Sequence, residues 1–306
     1  MPQVLIAGST GYLGYYMTEA FSRGGFQVTA IAKDRSEERA VQTLCAMGAQ
    51  CVYVDASRRE SFSTALTGID VVISCMAAPG GGNDAQGDFW AIDRDANIRL
   101  AEEAADAGVK HFILMATFEG PHSRRQTAFS DAKETAVDAI TARASACGMM
   151  LTVLRPNAYF KDLTNRAFTS VREKNTYTIF GDGTVRINPI HGADVAAIAL
   201  ACAQGTMAGG RQYPLGGPDT FTFRELGELA ASVLGTKDTL KIKARSIAPF
   251  RIIAFIVGMG ALFSRSLRRR HALITWMLYA LTHDAIAPSY GTHRLADEFR
   301  RKAAVP

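Results

Sequence analysis

The sequence predicts an α/β fold, and three observations predict it. Short continuous apolar runs recur along the first half of the chain, stretches of helical character separate them, and a glycine-rich turn joins the first run to the first helix. Apolar runs without polar alternation read as strands buried on both faces. Their alternation with helices makes them parallel neighbours in one sheet that helices cover on both sides.

The first strand is Val4-Leu5-Ile6-Ala7, and Gly8-Ser9-Thr10-Gly11-Tyr12-Leu13-Gly14 carries it into a helix over 15–21. A glycine turn between a first strand and a first helix lets backbone approach a pyrophosphate, with the helix N-terminus facing the negative charge. The spacing is GxxGxxG where the usual fingerprint is GxGxxG, so position and flanks carry the reading. The second strand, Gln27–Ala32, precedes a helix over Ser36–Met47, and the third strand is Gln50–Val54. A helix over Arg59–Leu66 leads to the fourth strand, Asp70–Cys75. A long helix over Asp93–Ala107 then precedes the fifth strand, Lys110–Ala116. A helix from Ser130 to about Ala146 leads to the sixth strand, Leu151–Leu154. After Arg155 the pattern loosens into short elements, as in a substrate-binding lobe built onto a dinucleotide fold.

Composition agrees. The 306 residues are 48 % hydrophobic and 21 % charged, which excludes a disordered chain, and the net charge of +5 is concentrated near the C-terminus, which argues against nucleic acid as the partner. Cys45, Cys51, Cys75, Cys147 and Cys202 lack CxxC spacing. They read as small apolar residues of a cytoplasmic protein, without a metal site or disulfide framework. A strand starting at the fourth residue leaves no room for a signal peptide.

The glycine turn, Asp55-Ala56, the helix bearing Lys133 and the run Leu154-Arg155-Pro156-Asn157-Ala158-Tyr159-Phe160 together resemble the atypical short-chain dehydrogenase/reductases. Phe180-Gly181-Asp182-Gly183, Ile187–Val195, Leu215–Pro218 and Ala287–Thr292 are similar to the divinyl chlorophyllide reductase-like branch, beside the NmrA-like and isoflavone reductase-like chains. The resemblance implies a Rossmann-type doubly wound parallel sheet over 1–155. A small C-terminal α/β substrate lobe with terminal helices would occupy 156–306, interleaved with the core as a single unit. It also implies a nicotinamide cofactor held by Gly8, Ser9, Thr10, Gly11, Tyr12, Leu13 and Gly14, by Asp55 and Ala56 against the adenine, and by Met76 and Ala77 after the fourth strand. Lys133, Pro156, Asn157 and Tyr159 complete that set. It does not imply the substrate.

An acid at the end of the second strand selects NAD, and a base there accommodates the 2′-phosphate of NADP. By resemblance the acid's position falls at Ala32, which leaves Lys33 and Arg35 to meet a phosphate; NADP(H) is the expected cofactor, with Asp34 the alternative selector for NAD. The Tyr-x-x-x-Lys of the larger superfamily reads Phe129-Ser130-Asp131-Ala132-Lys133 here, so the usual phenolic acid is absent and the lysine is retained. Lys133 is the leading catalytic candidate, as in isoflavone reductase-like relatives. Thr117 after the fifth strand and Tyr159 are lesser ones, each with a plain packing role as alternative. His191 reads as structural, Asp55 also as a helix cap, and Gly80–Asn83 as a loop over the cofactor.

The expectation is an NADPH-dependent reductase of a C=C or C=O bond in a small lipophilic molecule. The alternatives are an NADP-using isomerase or epimerase, and a non-catalytic regulator or assembly factor. The segment 247–281 carries two apolar stretches separated by Arg265, Arg268, Arg269 and Arg270, with 13 residues between Arg251 and Arg265. That is too short to span a bilayer, which takes about 20. It reads either as packing on the core or a homodimer contact, or as a peripheral membrane surface.

Overall fold

The computed structural model describes residues 1–34, 38–78 and 89–304. Arg35 and the Gly80–Asn83 loop lie outside the described residues. The chain divides into two compact units, Met1–Gly120 with Phe129–Arg155 and Val195–Tyr213, and Pro121–Ala128 with Pro156–Asp194 and Pro214–Pro306.

The first unit carries the expected alternation. β1 (Gln3–Ala7), α1 (Tyr12–Arg23), β2 (Gln27–Ala32), α2 (Glu38–Ala46), β3 (Gln50–Tyr53) and β4 (Val71–Ser74) are followed by α3 (Asn97–Asp106), β5 (His111–Met115), α5 (Ala128–Cys147) and β6 (Met150–Pro156), while the single turn α4 (Gly120–Ser123) before α5 falls mostly in the second unit. The sheet order is β3-β2-β1-β4-β5-β6 with one later strand at the β6 edge, and every neighbouring pair from β3 to β6 is parallel. Reversal of strand order at β1 creates the crevice, outside the carboxyl ends of the strands, where such sheets take ligands. Leu5, Val72, Phe112, Leu66 and Leu100 are among the buried side chains that fill one face of the sheet.

Two helical expectations are corrected. The helix expected over Arg59–Leu66 is two 3-10 turns, Ala56–Arg58 and Ser63–Leu66, because Arg59 adopts φ 59°, a left-handed conformation no helix can continue through. The helix expected to begin at Asp93 begins earlier, with a π turn over Trp90–Ala96 that runs into α3. The remaining strand boundaries shift by a residue or two, as terminal pairs fray.

The second unit contains α6 (Phe160–Leu163), a π turn over Thr164–Phe168, α7 (Thr169–Lys174), β7 (Thr176–Phe180) and β8 (Arg186–Ile187). Helix α8 (Gly192–Ala203) and strand β9 (Gln212–Leu215), the edge strand beside β6, run across the division of the chain. β10 (Phe221–Thr222), α9 (Phe223–Val233), β11 (Lys241–Arg245), α10 (Ala248–Ala261), α11 (Arg265–Ala280) and α12 (Leu295–Ala303) complete it. β10 pairs with β8 and β11 with β7. Phe160, Phe168, Tyr177, Leu226 and Phe299 form its core. Helix α9 starts at a full capping box, Thr222 accepting from the Glu225 N–H while Glu225 accepts from the Thr222 N–H. Among the described residues no helix is long and apolar enough to cross a membrane.

Candidate active site

The glycine turn has a distinct steric reason at each end. Gly8 sits at φ +77°, and a Cβ there would lie 2.9 Å from the Cys75 backbone; a Cβ at Gly14 would lie 2.2 Å from Gly8 O and 2.4 Å from Ser9 Cα. These glycines therefore let β1, β4 and α1 approach one another. Gly11 differs: among the described residues a Cβ there would meet only Gly8 O, at 3.4 Å, and the residue is exposed. It is the N-cap of α1 without a side chain to cap it, and the first helical turn has no acid. The partial positive end of α1 thus carries no side-chain cap at an exposed glycine, as a pyrophosphate site requires. Ser9 is buried and donates to Ile31 O at 2.7 Å, which ties the turn to β2. Leu13 is buried behind it and Tyr12 packs edge-on to Tyr16 at 5.2 Å. Thr10 is half-buried.

At the ends of β2 and β3, Ala32 is fully buried and Lys33 and Asp34 are exposed. Asp55 caps the turn that follows it, accepting from the Ser57 N–H at 2.9 Å and from its hydroxyl. Burial raises its carboxyl, but the Ser57 hydrogen bonds and the Lys33 ammonium outweigh that and hold it below the ordinary carboxylate value. Lys33 is thus electrostatically coupled to Asp55. Ala56 O accepts from Arg99 at 3.0 Å.

The exit of β4 is fastened by a buried polar network. Ser74 Oγ donates to Asn97 Oδ1 at 2.5 Å, Asn97 donates to Met76 O at 3.4 Å, and the Ala78 N–H donates to Asp93 Oδ2 at 2.8 Å. Met76 is buried and Ala77 exposed. The other Asp93 oxygen lies 2.6 Å from Lys133 Nζ, where neither side chain is more than 9 % exposed. The approach is charge to charge, off a hydrogen-bonding direction. The ammonium also lies 5.4 Å from the Phe129 ring centre, the position where the superfamily's tyrosine would stand, and Phe129 packs edge-on to Phe89 at 6.0 Å. Lys133 is therefore not a solvated surface lysine. Asp93 escaped the sequence reading: it stood as the first residue of a helix, and the π turn, with a wider repeat, carries it inward.

The next residue of α5 is also buried and paired. Glu134 receives both terminal nitrogens of Arg155 at 2.7 and 2.8 Å, and Arg155 also donates to Thr117 O at 3.1 Å and to Gln212 Oε1 at 2.8 Å. This fork ties α5 to β6 and fixes the Thr117 backbone at the end of β5. Thr117 Oγ1 is buried and has no hydrogen-bond partner among the described residues. A buried hydroxyl in that state awaits a partner. With the bare Gly11 backbone, it is what a bound dinucleotide and substrate would meet, so the residues present fit that group.

In the second unit Pro156 is buried at the end of β6 and Tyr159 is half-buried at the N-cap of α6. Asn157 Nδ2 donates to Asn188 Oδ1 at 2.8 Å and to Ala285 O at 2.6 Å, while its Oδ1 accepts from the Ala158 N–H at 2.8 Å. Its amide is engaged by protein on both ends. His191 stacks on His293 at 4.5 Å, and its Nδ1 accepts from the Ala193 N–H at 3.2 Å. Burial, reinforced by the charge of His293, pushes its imidazole below the ordinary value.

The parallel sheet, the bare glycine turn and the buried lysine define a nicotinamide-nucleotide-binding α/β protein. The chain belongs to the NAD(P)H-binding family, whose pattern it matches over residues 8–205. The atypical short-chain dehydrogenase/reductase branch, with divinyl chlorophyllide reductase-like and isoflavone reductase-like neighbours, fits it. It is 29 % identical to the chloroplastic divinyl chlorophyllide a 8-vinyl-reductase of Arabidopsis thaliana over 272 residues, 84 % of this chain and 62 % of that one. The chain thus spans less than two thirds of that reductase. It is 25 % identical to the photosystem II assembly factor Ycf39 of Guillardia theta over 254 residues, 82 % of this chain and 76 % of that one. Among solved structures, AtPrR2 with NADP+ and (+)pinoresinol superposes with a TM-score of 0.73 at 17 % identity, covering 98 % of each chain. That likeness concerns the fold.

Proposed function

We propose that the protein is an NADPH-dependent reductase that transfers hydride to a C=C or C=O bond of a small lipophilic molecule. The buried Lys133–Asp93 pair carries this reading. A lysine at the superfamily's catalytic position is kept, charged and held at a fixed point, although the tyrosine it usually assists is phenylalanine.

The nucleotide, when bound, supplies the hydride. Gly11 and the N-terminus of α1 bind its pyrophosphate, and Lys33, with Arg35 beside it in sequence, meets the 2′-phosphate. Asp93, itself fixed by the Ala78 N–H, orients the Lys133 ammonium. Lys133 then stabilises negative charge developing on the substrate and delivers the proton on Nζ. The Phe129 and Phe89 rings keep water from the ammonium. Thr117 Oγ1 is the hydroxyl that meets the substrate. Without a phenol to polarise a ketone, an activated alkene is the favoured acceptor, and the likeness to vinyl reductases supports that choice.

Turnover of NADPH and of NADH against a panel of enones, activated alkenes and quinones, followed by absorbance, tests the proposal. Lys133→Ala combined with Asp93→Asn is expected to lose about 10²–10⁴-fold in turnover; a loss within threefold would remove Lys133 from the chemistry. The likeness to an assembly factor favours a second reading, a nucleotide-binding protein without turnover. Tight NADPH binding with no acceptor consumed anywhere in the panel would select it.

A further inference from the structure

Helices α10 and α11 form a hairpin built the opposite way from a pair of core helices. α10 turns its small residues inward: Ala254 and Ala261 are buried, a Cβ at Gly258 would lie 3.0 Å from the His271 ring, and one at Gly260 would lie 2.6 Å from Leu267. Its large side chains turn outward. Ile252, Ile253, Phe255, Ile256 and Met259 are all exposed. Exposure rises to 77 % at Leu262 and 90 % at Phe263, in the turn between the two helices. Leu273 and Trp276 of α11 are exposed as well. Positions 252, 255, 256, 259, 262 and 263 make one stripe at helical spacing, so the outward face is continuous. Soluble monomers rarely leave such a surface open.

Charge is segregated onto the same segment. Lys241, Lys243, Arg245, Arg251, Arg265, Arg268, Arg269 and Arg270 lie between residues 239 and 283, a stretch without one Asp or Glu. These eight cations exceed the +5 of the whole chain, so everything outside the segment is net acidic. Lys241, Lys243 and Arg245 on β11, Arg251 on α10, and Arg268 and Arg270 on α11 are exposed.

We propose that this hairpin docks on an anionic phospholipid bilayer, lying in the headgroup layer with Phe255, Leu262 and Phe263 sunk below it and the basic residues at phosphate level. Neither helix is long enough to cross, so the association is peripheral. An apolar face rimmed by cations is the combination that holds a helix at an interface. A second copy of the chain is the competing cover. In a two-fold interface the patch meets itself, which brings the exposed Arg268 and Arg270 of one copy towards those of the other; anionic lipid attracts the same cations.

Flotation of the full chain with vesicles of phosphatidylcholine alone, and of phosphatidylcholine with an equal part of phosphatidylserine, tests this. The protein is expected to float with the phosphatidylserine vesicles, and less as salt rises. Arg268→Gln with Arg270→Gln is expected to lower partitioning about 25-fold, at roughly fivefold per cation. Phe255→Asp with Phe263→Asp is expected to abolish flotation while melting temperature and NADPH binding stay unchanged, because both side chains are already exposed. Protein that stays at the bottom with both vesicle types overturns the proposal, as does flotation that both variants leave intact. A lipid-free dimer that Phe263→Asp splits, in a protein that does not float, makes the face a homodimer contact and also overturns it.

Discussion

Removing the charge from one side of the Lys133–Asp93 pair separates a structural from a chemical role. Lys133→Met leaves Asp93 as a carboxylate in a fully buried position whose hydrogen-bond donor among the described residues is the Ala78 N–H at 2.8 Å. Breaking a buried pair in this way costs about 3–5 kcal/mol. Asp93→Asn keeps an oxygen for the Ala78 N–H and leaves the ammonium facing a neutral amide and the Phe129 ring, a smaller loss. Combining the two removes both charges and keeps the Ala78 hydrogen bond, so the double variant is expected to be more stable than Lys133→Met alone by about 2 kcal/mol, a strongly non-additive cycle. Urea unfolding followed by circular dichroism measures all four proteins. Turnover in the double variant is expected to stay as low as in Lys133→Met, since stability returns and the ammonium does not. Single substitutions that cost under about 1 kcal/mol and add independently would show a solvated pair and refute the reasoning.

The glycine turn makes an opposed pair of outcomes. Gly14→Ala forces a Cβ against Gly8 O and Ser9 Cα and is expected to destabilise the unliganded protein by about 1–3 kcal/mol or more, read from its melting temperature. Gly11→Val, at the N-cap, is expected to cost no more than about 1 kcal/mol of stability yet to weaken NADPH binding at least tenfold by calorimetry. Lys33→Ala with Arg35→Ala is expected to weaken NADPH far more than NADH, at about 1.5–3 kcal/mol for each charge-assisted bond to the phosphate; equal losses would make Asp34 the selector. Burial pushes the His111 imidazole down to about 4, while its Nε2 pairs with Thr152 Oγ1 at 2.8 Å. The unfolded chain therefore binds the extra proton between the ordinary histidine value of 6.5 and about 4. Stability is complete above the upper value and falls as pH drops through that window, with a slope of up to about 1.4 kcal/mol per pH unit that His111→Gln should flatten.

What the sequence disclosed was local or periodic. The glycine turn, the strand alternation and the Phe129-to-Lys133 spacing are each contained in a few consecutive residues. What it concealed depends on residues far apart. Asp93 meets Lys133 across forty positions through a π turn that helical periodicity does not foresee. Asn157, read as a ligand-binding residue, has its amide engaged by Asn188 and Ala285, the latter 128 positions away. The helix expected at 59–66 failed at one dihedral, the left-handed φ of Arg59, which residue type does not announce.

Were the outward Phe263 and Leu262 to seat the protein on a bilayer as proposed, they would change what a rate measurement on it means. An enzyme carried on a bilayer meets a lipophilic substrate by diffusion in two dimensions, and the quantity that saturates it is the substrate's mole fraction in the lipid. Diluting that substrate with inert lipid would then slow turnover at constant bulk concentration, whereas a KM in bulk units would vary with the amount of membrane in the cuvette.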